Sequence, residues 1–272
     1  MRDKHDIEGI ISAAHTAADV ARSAILPHFR LDSLGTQDKH VPGARSEGAF
    51  DPVTVADRAA ELAMRDVLAQ MRPADAILGE EFEPRAGTSD LTWVLDPIDG
   101  TRGFISGTPT WGVLIGVTDA NGPIYGLIDQ PYTAERFEGG LGRAGMRGPM
   151  GARDLRARPA RPLAEATVMT TFPAVGTPEE GAAFARVADA ARMVRYGYDC
   201  YAYALLALGQ IDLVIEAGLN SYDICAPIAV IEAAGGIVTD WQGGPAHDGG
   251  RVVAAASAQQ HEAALEILSQ VL

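Results

Sequence analysis

Asp96 and Asp99 stand three residues apart at the end of an apolar run, WVLDPIDGT at residues 93–101, and a glycine and a threonine follow at once. A strand that ends on two acids delivers them to the C-terminal edge of a sheet, where open α/β sheets collect ligands. Pro97 locks its own φ and restricts the backbone between the two acids. Gly100 and Thr101 can open a helix whose first N–H groups are free to hold an anion. The same residues also read as local punctuation, with Asp99 capping that helix and Asp96 closing an Asx turn. Acids at element ends recur elsewhere. ILGEE at 77–81 ends on Glu80 and Glu81, Asp51 opens DPVTVAD, and Asp223 stands in SYDICAP at a helix start. Singly, each suits a solvated loop or an N-cap, since carboxylates are mostly surface groups. Converging on one site, they would repel one another unless hard cations neutralised them. Oxygen ligands without a His or Cys cluster suit magnesium, which favours octahedral oxygen sites.

The elements that must carry these acids follow from the hydrophobic period. Ile7, Ile10, Ile11, Ala14, Ala18, Ala21 and Ile25 keep three-to-four spacing, which predicts an amphipathic first helix. Thr54, followed three residues later by Asp57, forms a capping box with Asp in place of Glu and opens a second helix striped by Ala60, Met64, Val67, Leu68 and Met71. The period then shortens. Residues 75–78 and 92–96 are short apolar strands, and TWGVLIGVTDANGPIYGLIDQ reads as two strands joined at Asn121-Gly122. Strands continue to about Glu138, and the glycine- and arginine-rich stretch Gly139–Arg161 reads as an exposed connection. Beyond it strand and helix alternate: ATVMTT, a helix around AFARVADAARMV, another in YAYALLALG, the strand IDLVIEA, the helix DICAPIAVIEAA, the strands GIVTDW and RVVAAAS, and a closing helix. This interleaving implies layered α/β packing in a single domain over 1–272, with halves of about 1–140 and 162–272.

Composition limits the partners. With 272 residues and 47% hydrophobic side chains the chain can bury a full core. A formal net charge of −14 disfavours a surface for nucleic acid or anionic lipid, because both need clustered Lys and Arg. Cys200 and Cys225 are the two cysteines, which suits free thiols in a reducing compartment. The N-terminus scatters charges among its apolar residues, so neither a signal peptide nor a membrane span is expected, and the expected location is cytoplasmic. Hydrolysing a phosphate monoester needs an in-line water, a clamp on the phosphoryl oxygens and stabilisation of the departing alkoxide, and metal ions can supply all three. Neither a GxSxG elbow nor a Cys-His pairing supports covalent acyl chemistry, and the Gly-rich passages lack GxxxxGK[ST].

DPVTVAD, GEE, DPIDGT and YDICAP occur in the order and approximate spacing of the inositol monophosphatase superfamily, which the chain resembles from its first helix to its last. Within it, DGTRGFISGTPTWGVLIGV and GYDCYAYALLALGQIDLVIEAGLNSYD are most similar to the bacterial histidinol-phosphate phosphatases. The resemblance implies a five-layered αβαβα sandwich and a homodimeric, magnesium-dependent phosphomonoesterase acting on a small phosphate ester, here histidinol phosphate. It places Glu80, Asp96 and the Ile98 carbonyl on one magnesium, Asp96, Asp99 and Asp223 on a second, and Glu80 with waters on a weaker third. Asp51 and Thr101 would orient the nucleophilic water, Glu81 would support the ligands from behind, and the N–H groups of Gly100 and Thr101 would receive the phosphate. Tyr222 departs from the Trp of many relatives. Asp199, Glu216 and Asn220 fall on the substrate side; as plain structure, Asp199 would be a helix cap and Glu216 a strand-end charge. An acidic wall favours a substrate amine or imidazolium, which histidinol phosphate carries and inositol phosphate does not. The nearest rival is an inositol or other sugar phosphatase. A phosphoadenosine phosphatase would need a basic cluster that is not evident, and a regulatory binding protein on the same fold would not need the intact acidic set.

Overall fold

The computed structural model describes residues 4–31, 37–38 and 52–270. Helix α1 (Lys4–Ile25) follows the apolar stripe, burying Ile10, Ala14, Ala21 and Ile25 completely. A two-residue pairing of β1 (Gln37–Asp38) with β2 (Pro52–Val53) leads into α2 (Val55–Met71). The expected capping box is present there, the Thr54 hydroxyl accepting from the Ala56 N–H and Asp57 accepting from the Thr54 N–H.

The first sheet runs β3 (Ala76–Gly79), β4 (Thr92–Asp99), β5 (Gly112–Asp119), β6 (Gly122–Gln130), β7 (Glu135–Gly140), β8 (Arg143–Gly148) and β9 (Gly151–Asp154) in spatial order, antiparallel except for the β3–β4 pair. Short helix α3 (Thr101–Ile105) leaves the end of β4. The stretch read from the sequence as a connection from Gly139 onward therefore supplies β8 and β9 before it crosses over. Its glycines and arginines mask the strands because edge strands carry polar, weakly alternating residues. Fully buried Asp212 anchors the crossing that follows, accepting from Arg158 at 2.9 Å, the Thr167 N–H at 2.8 Å and Gln260 at 3.1 Å.

The second sheet forms from β10 (Thr167–Thr170), β11 (Met193–Tyr196), β12 (Leu213–Leu219), β13 (Ile237–Thr239) and β14 (Gly250–Ala255), ordered β11-β10-β12-β14-β13. Helix α4 (Pro178–Ala190) stops earlier than the apolar pattern AFARVADAARMV suggests, because Met193 and Val194 belong to β11. The remaining helices are α5 (Asp199–Ala207), α6 (Ser221–Ala233) and α7 (Ala258–Leu268). Packing α1 and α2 outside the first sheet, α5 and α6 between the sheets, and α4 and α7 outside the second gives the αβαβα sandwich with three apolar layers. Both cysteines are free and buried. No helix among the described residues is long and apolar enough to cross a membrane.

One packing feature bears directly on the site. Gly116, Gly126 and Gly139 are register partners across β5, β6 and β7, so three adjacent strands lack side chains along one line. Helix α6 lies in that trough. A Cβ on Gly126 would come within 2.2 Å of the Ala226 carbonyl oxygen, and one on Gly139 within 2.5 Å of the Val230 Cα. The trough sets how closely α6, with Asp223 in its first turn, approaches the first sheet.

Candidate metal centre

In a regular strand, residues three apart point to opposite faces. Pairing of β4 with β5 shifts register between Asp96 and Asp99, and this irregularity lets both carboxylates reach one site. Asp223 arrives from α6. Ligand oxygens of Asp96, Asp99 and Asp223 all lie within 4.8 Å of one another.

Two of the local readings of these acids, the turn at Asp96 and the helix start at Asp223, are present within the cluster, and the cap expected of Asp99 is not. Asp96 Oδ1 accepts the Ile98 N–H at 3.0 Å, which is the Asx turn. Asp99 Oδ2 accepts the Cys200 N–H at 2.5 Å, so it binds the first turn of α5 and does not cap α3. Asp223 Oδ2 accepts the Asn220 N–H at 2.6 Å at the start of α6. Each carboxylate spends one oxygen on a backbone donor and has a second to offer. Burial, and then the charges of Glu80, Asp99, Asp223 and Asp57, hold the Asp96 carboxyl well above its ordinary range. Burial followed by Asp199 and Asp223 does the same to Asp99. Asp223 is pushed up to about 6 by burial, against the pull of the Asn220 N–H. Ionising such acids together is costly unless a cation compensates their charge, so the cluster could hold a metal ion.

Glu80 stands outside the triad yet close enough to raise Asp96, and its N–H donates to the Leu95 carbonyl at 3.2 Å, which lays the loop along β4. The Ile98 carbonyl accepts the Thr101 hydroxyl at 3.2 Å. Glu81 donates its N–H to Glu61 Oε2 at 2.7 Å and brings its own Oε2 to 3.8 Å from Arg58 Nε. Fully buried Glu61, which the sequence reading passed over as one more helix acid, is held by Arg65 at 2.7 Å and lies where a side chain on Gly79 would be. It fixes the Glu80-Glu81 turn from below.

Asp51 lies outside the described residues. The carboxylate that the structure puts beside Thr101 is Asp57. Its Oδ2 takes both the N–H and the hydroxyl of Thr54, while its Oδ1 lies 3.5 Å from Thr101 Oγ1. Burial raises its carboxyl, making it a better base than an exposed aspartate. The capping box was legible in the sequence, and the free second oxygen was not.

Gly100 has φ +86°, and a Cβ there would come within 2.6 Å of Asp199 Cγ, so only glycine fits. Asp199, itself at φ +45°, sends its carboxylate onto the first turn of α3, where the Thr110 hydroxyl donates to it at 3.2 Å, and does not cap its own helix. Burial raises its carboxyl, with Thr110 and Arg102 partly offsetting that. Glu216 is buried in the middle of β12, which runs on to Leu219 past a register shift and so makes it no strand-end charge; its Oε1 accepts the Thr171 N–H at 2.6 Å, and burial pushes it up to about 7. Asn220 is exposed at the N-cap of α6, where it shares a capping box with Asp223. Tyr203, one turn beyond Asp199 on α5, is a buried polar group that the sequence reading did not single out.

A family model described as the inositol monophosphatase family matches residues 6–272. A bifunctional phosphatase of Arabidopsis thaliana is 38% identical over 97% of this chain and 76% of its own length. A histidinol-phosphatase of Streptomyces coelicolor is 31% identical over 94% of this chain and 96% of its own. The solved structure of an inositol monophosphatase from Zymomonas mobilis is similar with a TM-score of 0.82 at 36% identity, covering 98% of this chain and 100% of that one.

Proposed function

The chain belongs to the inositol monophosphatase family, and from that premise we propose that this phosphoric monoester hydrolase is magnesium-dependent and releases histidinol and phosphate from histidinol phosphate. The observation that carries the substrate reading is the pair of half-buried Asp199 and buried Glu216, two carboxylates whose ionisation burial opposes. Their charge is compensated by an ester whose organic end carries an ammonium and an imidazole, and an inositol ester offers no such cation. Histidinol-phosphatases among the relatives support the same choice.

The donor set of Asp96, Asp99, Asp223, Glu80 and the Ile98 carbonyl fits a hard cation, being all oxygen and charged beyond what burial tolerates. Magnesium bound there would polarise the phosphoryl group and neutralise the charge that develops on it. The other tasks fall to the chain itself. Backbone N–H groups of Gly100 and Thr101 orient the phosphate. The Thr101 hydroxyl takes a proton from the attacking water as it passes its own to Asp57 Oδ1, whose raised affinity for protons suits a general base. Glu81 and Glu61 hold Glu80 in place through the backbone.

Initial rates on histidinol phosphate, inositol 1-phosphate and glycerol 2-phosphate, with magnesium and with excess EDTA, test this directly. Histidinol phosphate should be preferred by at least about tenfold in kcat/KM, and turnover should vanish without magnesium. A preference for inositol 1-phosphate would defeat the substrate assignment, and full turnover in EDTA would defeat the metal.

A further inference from the structure

Asp199 opens α5 with a left-handed backbone, φ +45°, and its carboxylate makes no cap for that helix. What holds the side chain comes from the loop between α3 and β5. The Thr110 hydroxyl donates to Asp199 Oδ2 at 3.2 Å, which is the one hydrogen bond to this carboxylate among the described residues. Two glycines form the floor beneath it. A Cβ on Gly100 would come within 2.6 Å of Asp199 Cγ, and one on Gly103 would stand 3.0 Å from Asp199 Oδ2 and 3.3 Å from Thr110 Oγ1. The neighbouring Thr108 hydroxyl, 3.3 Å from Thr110 Oγ1, donates to the Gly103 carbonyl at 3.1 Å. Each hydroxyl has a single proton to give, and the two threonines thus divide their targets between backbone and carboxylate. The loop that carries Thr110 is itself fixed. Arg30 donates from Nε to the Gly107 carbonyl at 3.0 Å and from Nη1 to the Tyr132 hydroxyl at 2.6 Å. Trp111, next in the chain, is buried with its ring edge-on to Phe104 at 5.0 Å. Threonine is also stiff at χ1, so its hydroxyl is a well-aimed donor.

Resting on the histidinol phosphate reading, we infer that Thr110 is a positioning residue for substrate selection, which anchors Oδ2 of Asp199 and leaves Oδ1 to receive a cationic nitrogen of the ester. Without that anchor the carboxylate can swing over its floor, since neither Gly100 nor Gly103 has a side chain to stop it. Its ordering must then be met at each binding event, which weakens affinity for a cationic ester and leaves the chemistry at phosphorus untouched. A neutral ester makes no use of the carboxylate and is indifferent to the change. Serine keeps the donor, and valine keeps the shape without it.

Thr110→Val and Thr110→Ser separate the hydroxyl from the packing. In Thr110→Val the KM for histidinol phosphate should rise about fivefold with kcat little changed, and calorimetric binding of histidinol to the magnesium-loaded protein should weaken by a similar factor. Thr110→Ser should stay within about twofold of wild type on both measurements. The KM for glycerol 2-phosphate should hardly move in either variant. Thr110→Ala removes the same hydroxyl from a smaller side chain and should repeat the valine result, and melting curves establish that each variant is folded. In an Asp199→Asn background, where the charge is gone, Thr110→Val should add nothing. Wild-type KM and histidinol affinity in Thr110→Val and Thr110→Ala, while wild type still prefers histidinol phosphate, overturn this inference alone. So do equal losses on the two esters, or a serine variant as weak as the valine one, because either makes Thr110 a packing element of its loop. Wild type without that preference defeats the substrate reading, and this inference with it.

Discussion

Thr101 Oγ1 stands 3.5 Å from Asp57 Oδ1 and 3.2 Å from the Ile98 carbonyl oxygen, while the other oxygen of Asp57 is occupied by Thr54. One carboxylate thus starts α2 and faces the site, joining a helix cap to a proton relay. Thr101→Ala and Asp57→Asn are each expected to lower kcat by about two orders of magnitude with a much smaller change in KM, as loss of a general base does. Thr54 remains the N-cap and asparagine at the third helical position keeps an acceptor oxygen for the Thr54 N–H, so α2 should persist and circular dichroism should be unchanged. Asp51→Asn tests the residue that the family resemblance assigns to orienting the water: a loss as large as that of Asp57→Asn would show that both carboxylates serve it.

Neutralising one acid of the triad should have opposite effects with and without metal. In EDTA, Asp96→Asn, Asp99→Asn and Asp223→Asn should each melt no lower than wild type, because burial and mutual repulsion already oppose their ionisation. With magnesium, wild type should gain melting temperature and the variants little, and their turnover should fall by about a hundredfold or more. Melting curves across a magnesium titration separate these outcomes. A variant that keeps the full magnesium-induced shift would leave the ligand set.

Glu216 makes stability depend on pH in a definite direction. Its carboxyl is raised from 4.5 to about 7 by burial, so its contribution is fully present below the ordinary glutamate range and is lost as pH rises through about 7. Relative to Glu216→Gln, the metal-free wild type should lose about 2 to 3 kcal/mol between pH 4.5 and pH 8, measured by urea denaturation at a series of pH values. The groups that act on it, Asp199, the Thr171 N–H and the side chains of Thr170 and Thr171, are common to both proteins, so the difference isolates Glu216. A difference that stays flat across this range would show that Glu216 does not titrate there.

Gly126→Ala tests the trough under α6. Its Cβ would sit 2.2 Å from the Ala226 carbonyl oxygen, so the helix must lift and carry Asp223 with it. We expect a destabilisation of about 1–3 kcal/mol, with a loss of activity at saturating substrate that extra magnesium partly restores. Gly145→Ala is the control, since its Cβ would have nothing nearer than the Arg153 carbonyl oxygen at 3.9 Å. Equal effects at the two glycines would remove the trough from the account.

The local chemistry of the chain was legible in its residues. Apolar spacing marks α1 and α2, Thr54 and Asp57 mark a capping box, and WVLDPIDGT announces a strand ending on acids, because period, capping and turn preference act over a few residues. Strands β8, β9 and β11 escaped notice because exposed strands carry little hydrophobic pattern. What the folded chain alone decided is which acids meet and which oxygen each turns to the site. Asp96 and Asp99 share a face through a register shift, Asp223 reaches them because a line of glycines lets α6 sink toward the first sheet, and Asp57 keeps one oxygen free after capping α2. Asp199 leaves its own helix to rest on Gly100. Apart from Asp96 and Asp99, these relationships join residues tens to more than a hundred positions apart. They are set by how layers pack and strands align, and spacing along a single element carries no record of either.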